Sequence, residues 1–170
     1  MSGMNLEHAP TTESTSDATP DARPGCAPDR PFRVRLTVRH ADLDTNGHVR
    51  GSAYVDFADH ARWACLQEAG VDPVEMSRSG LGPVNLRTTI DFHRELRAGD
   101  ESVVTCTFTY EGGEKKTGRA TQELRRTDGT LVATVESVFG LLDLTTRRLV
   151  PDPASHWRRL ATTPCLLGAD

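Results

Sequence analysis

The chain has 170 residues, 26% of them charged, and a formal net charge of -4 at pH 7. This balance lacks the basic excess typical of nucleic-acid binding, and no apolar run approaches the ~20 residues of a membrane-spanning helix. The length suits one domain with a substantial core, and we expect neither nucleic acid nor a membrane as a partner.

The first segment of the chain, residues 1–30, is rich in Thr, Ser, Pro, Asp and Ala and has almost no bulky apolar residues. Such a composition buries too little apolar surface to offset the entropy of ordering the chain, which predicts a disordered extension. The segment also lacks the apolar centre of a signal peptide.

The four cysteines are widely spaced and match neither a C-x-x-C motif nor a Cys/His metal-ligand pattern. Cys65 and Cys106 fall on faces predicted to be apolar, which favours buried free thiols. A cytoplasmic protein without a metal or cofactor is therefore the expectation.

The ordered part of the chain begins with apolar residues at every second position from Phe32 to Val38, the pattern of a half-buried strand. A polar turn leads to a helix from Gly51 to about Ala69, with Gly70 as the stop residue. This helix is apolar over most of its circumference, which predicts burial.

Four more strands are predicted at about 84–97, 104–110, 116–126 and 131–143, and Asp128-Gly129 is a hairpin turn signal. In the first of them, alternation predicts that one face carries Val84, Leu86, Thr88 and Ile90. Residues 146–170 are expected to form a tail or a short helix.

The order of strand, long helix and four strands with short connections predicts an antiparallel sheet in an α+β domain over residues 31–145. One sheet covers only one side of an apolar helix. We therefore expect a homodimer or homotetramer, in which a second copy completes the burial.

The order of elements resembles the hotdog fold. The segment Asp42-Leu-Asp44-Thr-Asn-Gly47-His48-Val49, followed by Tyr54 and by Ala61-Arg62-Trp63, is similar to acyl-CoA thioesterases of the 4-hydroxybenzoyl-CoA thioesterase type. The stretch 90–100 also resembles that family, and the likeness covers residues 32–143. It implies a five-stranded antiparallel sheet wrapped around a central helix, and an acyl-CoA or acyl-carrier-protein thioester as substrate.

The resemblance also implies two catalytic positions. The second Asp of the D-x-D pair is the family's catalytic carboxylate, which is Asp44 here, and its oxyanion donor is a backbone N–H near Gly51. An ionised Asp44 can attack the thioester carbonyl, forming a mixed anhydride, or take a proton from water. The alternative interpretations are an Asx-type turn former at Asp44 and an ordinary helix start at Gly51.

Other residues near this junction have candidate roles. Arg50 stands where many relatives carry Asn, which bears on the shape of the pocket, and Tyr54 is a core residue whose hydroxyl is a candidate for lining the acyl pocket. Asp42 and His48 are interpreted as structural. Asp59 is a second candidate carboxylate, because another thioesterase lineage of this fold places its carboxylate on the helix.

Arginines follow the polar face of the second strand. Because guanidinium groups pair with phosphate through a planar fork, Arg87, Arg94 and Arg97 are candidates for binding the phosphates of coenzyme A. No G-x-S-x-G nucleophile elbow is present. The alternatives to a thioesterase are a hotdog enoyl-CoA hydratase or dehydratase and a non-catalytic acyl-CoA-binding module.

Overall fold

A computed structural model describes residues 31–112 and 115–170. The predicted N-terminal extension, residues 1–30, lies outside the described residues. The elements in chain order are β1 (Phe32–Thr37), a 3-10 turn (His40–Asp42), α1 (Gly51–Glu68), α2 (Pro73–Arg78), β2 (Leu81–Phe92), β3 (Glu101–Tyr110), β4 (Thr117–Arg126), β5 (Leu131–Asp143), β6 (Arg148–Leu149), α3 (Pro153–Leu160) and a 3-10 turn (Pro164–Leu167).

The strands form one antiparallel sheet in the order β1-β3-β4-β5-β2, with the short β6 added to β5. The hairpin between β4 and β5 turns at Gly129, whose φ of 89° suits a glycine. The sheet wraps around α1, so the predicted hotdog fold and its five principal strands are confirmed. The sequence did not predict α2 or β6.

Small residues on α1 let the helix approach the sheet closely: Ala53, Ala58 and Ala61 are fully buried. They belong to an apolar cluster around the first half of α1. A second cluster surrounds its second half and includes Trp157 of α3, so the end of the chain packs onto the domain. Gly70, at φ 78°, follows the helix as predicted.

Two predictions about buried side chains have different outcomes. Cys65 and Cys106 are buried free thiols, as expected. The sheet covers one side of α1, and the burial of its remaining apolar surface by a second copy stays a prediction. Trp63 remains 44% exposed, and His60 and Gln67 on α1 are exposed as well.

The predicted alternation of β2 is wrong in its first half. A β-bulge at Leu86 shifts the pairing with β5, so that Asn85 pairs with Phe139 while Arg87 pairs with Val138. Because paired residues share a face, Asn85 rather than Val84 lies on the face that carries the buried Phe139. Thr88, paired with Ser137, keeps its predicted face.

None of the described helices is both long enough and apolar enough to cross a membrane.

Candidate active site

The turn between β1 and α1 is a tight hairpin. Leu43 and Val49 form an isolated antiparallel bridge, and the Asp44 N–H donates to the His48 carbonyl at 2.8 Å. Gly47, at φ 75°, closes the tip by donating to the Asp44 carbonyl at 3.1 Å. Local hydrogen bonds therefore hold Asp44 on one arm of the hairpin, while the other arm leads directly into α1.

The Asp44 carboxylate is exposed and anchored at one oxygen. Its Oδ1 accepts the backbone N–H of Asn46 at 2.8 Å and that of His48 at 3.2 Å. The His48 N–H, followed by Asn46, lowers the pKa of Asp44 below its ordinary value. The group is therefore ionised at neutral pH, which both mechanisms considered for it require. The same bonds form the Asx-type turn, so the turn-forming and chemical roles are compatible.

The start of α1 presents open donors. Arg50 is the N-cap residue and its side chain makes no capping bond. No described residue accepts the N–H of Gly51, the first residue of the helix. The positive end of the helix dipole lies behind this N–H, so an oxygen that gains negative charge is stabilised there.

The Arg50 guanidinium is fixed beside the helix start. Its Nε donates to Ser52 Oγ at 2.9 Å, its Nη1 donates to the Ala41 carbonyl, and its Nη2 lies 3.8 Å from Asp56 Oδ2. This places a partly exposed positive charge next to Gly51, where it can pair with an anionic or strongly polar group of a ligand.

An aromatic pair flanks Gly51. Tyr54 is almost fully buried, and its ring meets Phe92 edge to face with centroids 5.1 Å apart. Phe92 is 57% exposed, and its Cζ lies 3.8 Å from the position that a Cβ on Gly51 would take. The strand alternation gives no signal that Phe92 forms a wall of the site. Tyr54 supports Phe92 from behind, and burial raises the pKa of its hydroxyl.

A carboxylate from another loop reaches the hairpin. Glu95 follows β2, and its Oε2 lies 3.0 Å from His48 Nε2. The hydrogen bond from the Arg97 side chain is the main cause that lowers the pKa of Glu95, and positive charges around Glu95 lower it further. This carboxylate is therefore ionised at neutral pH. No role was assigned to Glu95 from the sequence. Its only signal in the sequence was its position within residues 90–100, a stretch that resembles the family.

The remaining arginine candidates are not gathered at the hairpin. Arg87 pairs with Val138 on the face of β2 opposite Asn85 and Phe139. Arg94 is exposed two residues beyond Phe92, and its Nη1 donates to the adjacent carbonyl of His93 at 2.7 Å. Arg97 is paired with Glu95 at 2.7 Å.

The second carboxylate candidate lies away from the hairpin. Asp59 stands eight residues into α1 after Gly51, about 12 Å along the helix axis. There it forms an ion pair with Arg62. Within residues 31–112 and 115–170, no group of three potential metal ligands is found.

Comparison with known proteins gives consistent results. Residues 38–160 match the model of the thioesterase-like superfamily. A chloroplastic acyl-acyl carrier protein thioesterase of Arabidopsis thaliana, ATL3, is 35% identical over 71 residues, which cover 42% of this chain and 37% of that protein. The chain thus matches little more than a third of the length of this relative.

Solved structures share the fold at low identity. A 1,4-dihydroxy-2-naphthoyl-CoA thioesterase from Synechocystis superposes with a TM-score of 0.68 at 20% identity, covering 77% of this chain and 95% of that one. A Staphylococcus aureus protein solved in complex with CoA gives 0.66 at 22% identity, covering 79% and 87%. With a family model that spans most of its length, the chain belongs to the thioesterase-like superfamily.

Proposed function

We propose that this protein is a thioesterase of the 4-hydroxybenzoyl-CoA thioesterase type, which hydrolyses an acyl-CoA or acyl-carrier-protein thioester. The observation that carries the proposal is the hairpin, which presents the ionised Asp44 immediately before the open N-terminus of α1 at Gly51. The family match and the acyl-carrier-protein thioesterase among the relatives support the same chemistry. They do not favour the hydratase or the non-catalytic alternative.

The geometry supports a division of labour. The Gly51 N–H polarises the thioester carbonyl and stabilises the negative charge on its oxygen, a role whose loss typically costs ~10²–10³ in rate. Asp44 acts on the carbonyl carbon. As nucleophile it expels the thiolate and forms a mixed anhydride, which water opens to the free acid. As general base it takes a proton from the water that attacks.

The acyl part and the phosphate-bearing thiol part of the substrate contact different residues in this proposal. Phe92, supported by the buried ring of Tyr54, offers an apolar wall next to Gly51, suited to the first carbons of an acyl group. Arg50 and Arg94 are the candidates for phosphate groups of coenzyme A or of a carrier-protein arm. Arg87 faces away from α1, so it is not proposed to contact a substrate bound to the same chain.

We propose further that the protein is a homodimer paired along β2. This strand is twelve residues long and lies at the edge of the sheet, where it exposes Leu86 and Phe92, and Trp63 of α1 is exposed as well. Exposed apolar edge strands pair readily with another chain. Light scattering should give the mass of a dimer, and Leu86→Lys should shift it toward the monomer, whereas Val74→Lys on α2 should not. A monomeric wild-type protein would contradict the pairing.

The proposed activity is tested by a mass-spectrometric screen of the full chain against acyl-CoA and acyl-carrier-protein thioesters. We expect release of free acid and thiol from at least one substrate class. Enoyl-CoA hydration without thioester cleavage, or tight acyl-CoA binding without turnover of any thioester, would overturn it.

A further inference from the structure

A polar layer interrupts the apolar interface between α1 and the sheet. Gln122 on β4 and Ser137 on β5 are fully buried, and they meet Arg62 of α1, whose side chain is only 11% exposed. The apolar cluster around the first half of α1 ends on one side of this layer, and the second cluster begins on the other. Burying such groups costs free energy, so a layer of this kind calls for an explanation beyond packing.

The side chains of this layer are hydrogen-bonded to one another, but not all of their donors are used. Arg62 Nη1 donates to Ser137 Oγ at 2.9 Å and to Gln122 Oε1 at 3.3 Å, and Nη2 donates to Asp59. Gln122 Nε2 donates to the Ala58 carbonyl at 2.7 Å. A guanidinium has five N–H donors. The Nε–H of Arg62 and one N–H on Nη2 bond none of the described residues, so two donors are available to a ligand.

A pocket is lined in part by Arg62. Its volume is about 180 Å³, and its walls come from α1 and from β2 with the adjoining Phe139 of β5. Arg62, Asp59 and Trp63 form the helix side, and Asn85 forms part of the strand side. Asn85 reaches this side because of the bulge at Leu86. Bulges commonly re-aim a side chain next to a functional site, and this one brings an amide to the pocket.

The pocket and the proposed reaction centre lie along the same helix and strand. Gly51 lies beside Phe92 at one end of β2, and Asp59 and Arg62 share the pocket with Asn85 toward the other end. The helix rise of about 1.5 Å per residue separates Gly51 from Asp59 by about 12 Å and from Arg62 by about 16.5 Å along the helix axis. An extended medium-chain acyl group whose carbonyl is held at Gly51 reaches that distance.

We infer that this pocket binds the far end of the acyl group and selects chains that carry a neutral oxygen substituent there, a hydroxyl or a keto group. The inference rests on the proposed thioesterase function for the position of the carbonyl. Arg62 donates to the substituent, and the Asn85 amide can donate to it or accept from a hydroxyl. Asp59 balances the charge of Arg62 and repels a carboxylate, so a dicarboxylic chain is disfavoured.

The test uses product binding, which requires no turnover. Calorimetry on the full chain compares a medium-chain fatty acid with the same acid bearing a hydroxyl at the far end, and with the matching dicarboxylic acid. We expect the hydroxy acid to bind about tenfold more tightly than the other two, the effect of one hydrogen bond to a charged donor. Equal affinities, or no binding of the hydroxy acid, would overturn the inference.

Two variants localise the effect. Asn85→Leu should reduce the roughly tenfold preference to about threefold, because the hydrogen bond of the amide is lost while that of the Arg62 guanidinium remains. Thr89→Leu is the matched control, since Thr89 is exposed on the same strand and pairs with Glu136 on the other face. It should keep the preference. An unchanged preference in Asn85→Leu overturns the assignment. A preserved preference without hydrolysis of any thioester overturns the proposed function and leaves the pocket intact.

Discussion

The imidazole of His48 and the carboxylate of Glu95 lie 3.0 Å apart, from Nε2 to Oε2. The His48 N–H also donates to Asp44 Oδ1, and the neighbouring Val49 N–H donates to the Leu96 carbonyl at 2.9 Å. The loop after β2 thus holds the hairpin through both a side chain and the backbone. Glu95 is in this sense a positioning residue that acts on Asp44 through His48.

Removing the Glu95 carboxylate should lower kcat more than it changes KM. We expect Glu95→Ala to reduce kcat by about tenfold, less than the ~10² that a misplaced catalytic group can cost, because the backbone bond of Val49 remains. Glu95→Gln keeps a hydrogen-bond acceptor and should lose less. Steady-state kinetics of the two variants measure the split, and wild-type kcat in both would show that the contact has no role in positioning.

Asp42 should contribute to stability. Its buried carboxylate accepts the Arg39 backbone N–H at 2.8 Å and the Arg39 guanidinium at 3.1 and 2.8 Å. We expect Asp42→Ala to lower the free energy of unfolding by about 1–2 kcal/mol, because the Arg39 backbone N–H loses its acceptor while the exposed Arg39 guanidinium is solvated by water. Denaturant unfolding measures the loss, and the exposed Asp91→Ala serves as control. A loss equal to that of the control would contradict the structural role.

The contribution of Asp42 should also depend on pH. Arg39, first through its side-chain hydrogen bond, lowers the pKa of Asp42 in the folded protein below the ordinary value of 3.8. The stabilisation is therefore fully present above the unfolded-state pKa and is lost as the pH falls through the lower folded-state pKa. The difference in unfolding free energy between the wild type and Asp42→Asn should shrink in that acid range, and a constant difference would contradict the assignment.

The rate of hydrolysis should tolerate mild acid. Because the His48 and Asn46 N–H groups lower the pKa of Asp44, its carboxylate stays ionised well below neutral pH. The profile of kcat/KM should show no loss due to Asp44 between neutral pH and about pH 5. An acid limb near neutral pH that disappears in Asp44→Asn would contradict this ionisation state.

The two buried thiols should be inert in the folded protein. A hydrogen bond with Cys65 and burial raise the pKa of Cys106, which leaves little Cys106 thiolate to react. Both side chains are buried, so neither sulfur is accessible to a reagent in solution. Peptide mapping after brief iodoacetamide treatment should find both unmodified in the native protein and modified after denaturation. Rapid labelling of either one in the native state would contradict their burial.

The elements predicted from the sequence are those that local pattern determines. The alternation from Phe32 fixes β1, and the turn with Gly47 at its tip fixes the hairpin because the Asn46 and His48 N–H groups both donate to the Asp44 carboxylate. The stop at Gly70 is equally local. None of these required knowledge of the rest of the chain.

The features that were missed depend on contacts between distant segments. The bulge at Leu86 is visible only in the register with β5, and it moves Asn85 to the helix face against the simple alternation. Glu95 and Phe92 reach the site because the end of β2 lies beside the start of α1.

The most direct test of this account is the steady-state hydrolysis of an acyl-CoA or acyl-carrier-protein thioester by Asp44→Asn. Asparagine keeps the acceptor that bonds the Asn46 and His48 N–H groups, so the hairpin should persist and thermal unfolding should match that of the wild type. We predict a fall in kcat/KM of about 10² or more, with Asp91→Asn unaffected. A wild-type rate in Asp44→Asn would contradict the catalytic assignment of this carboxylate.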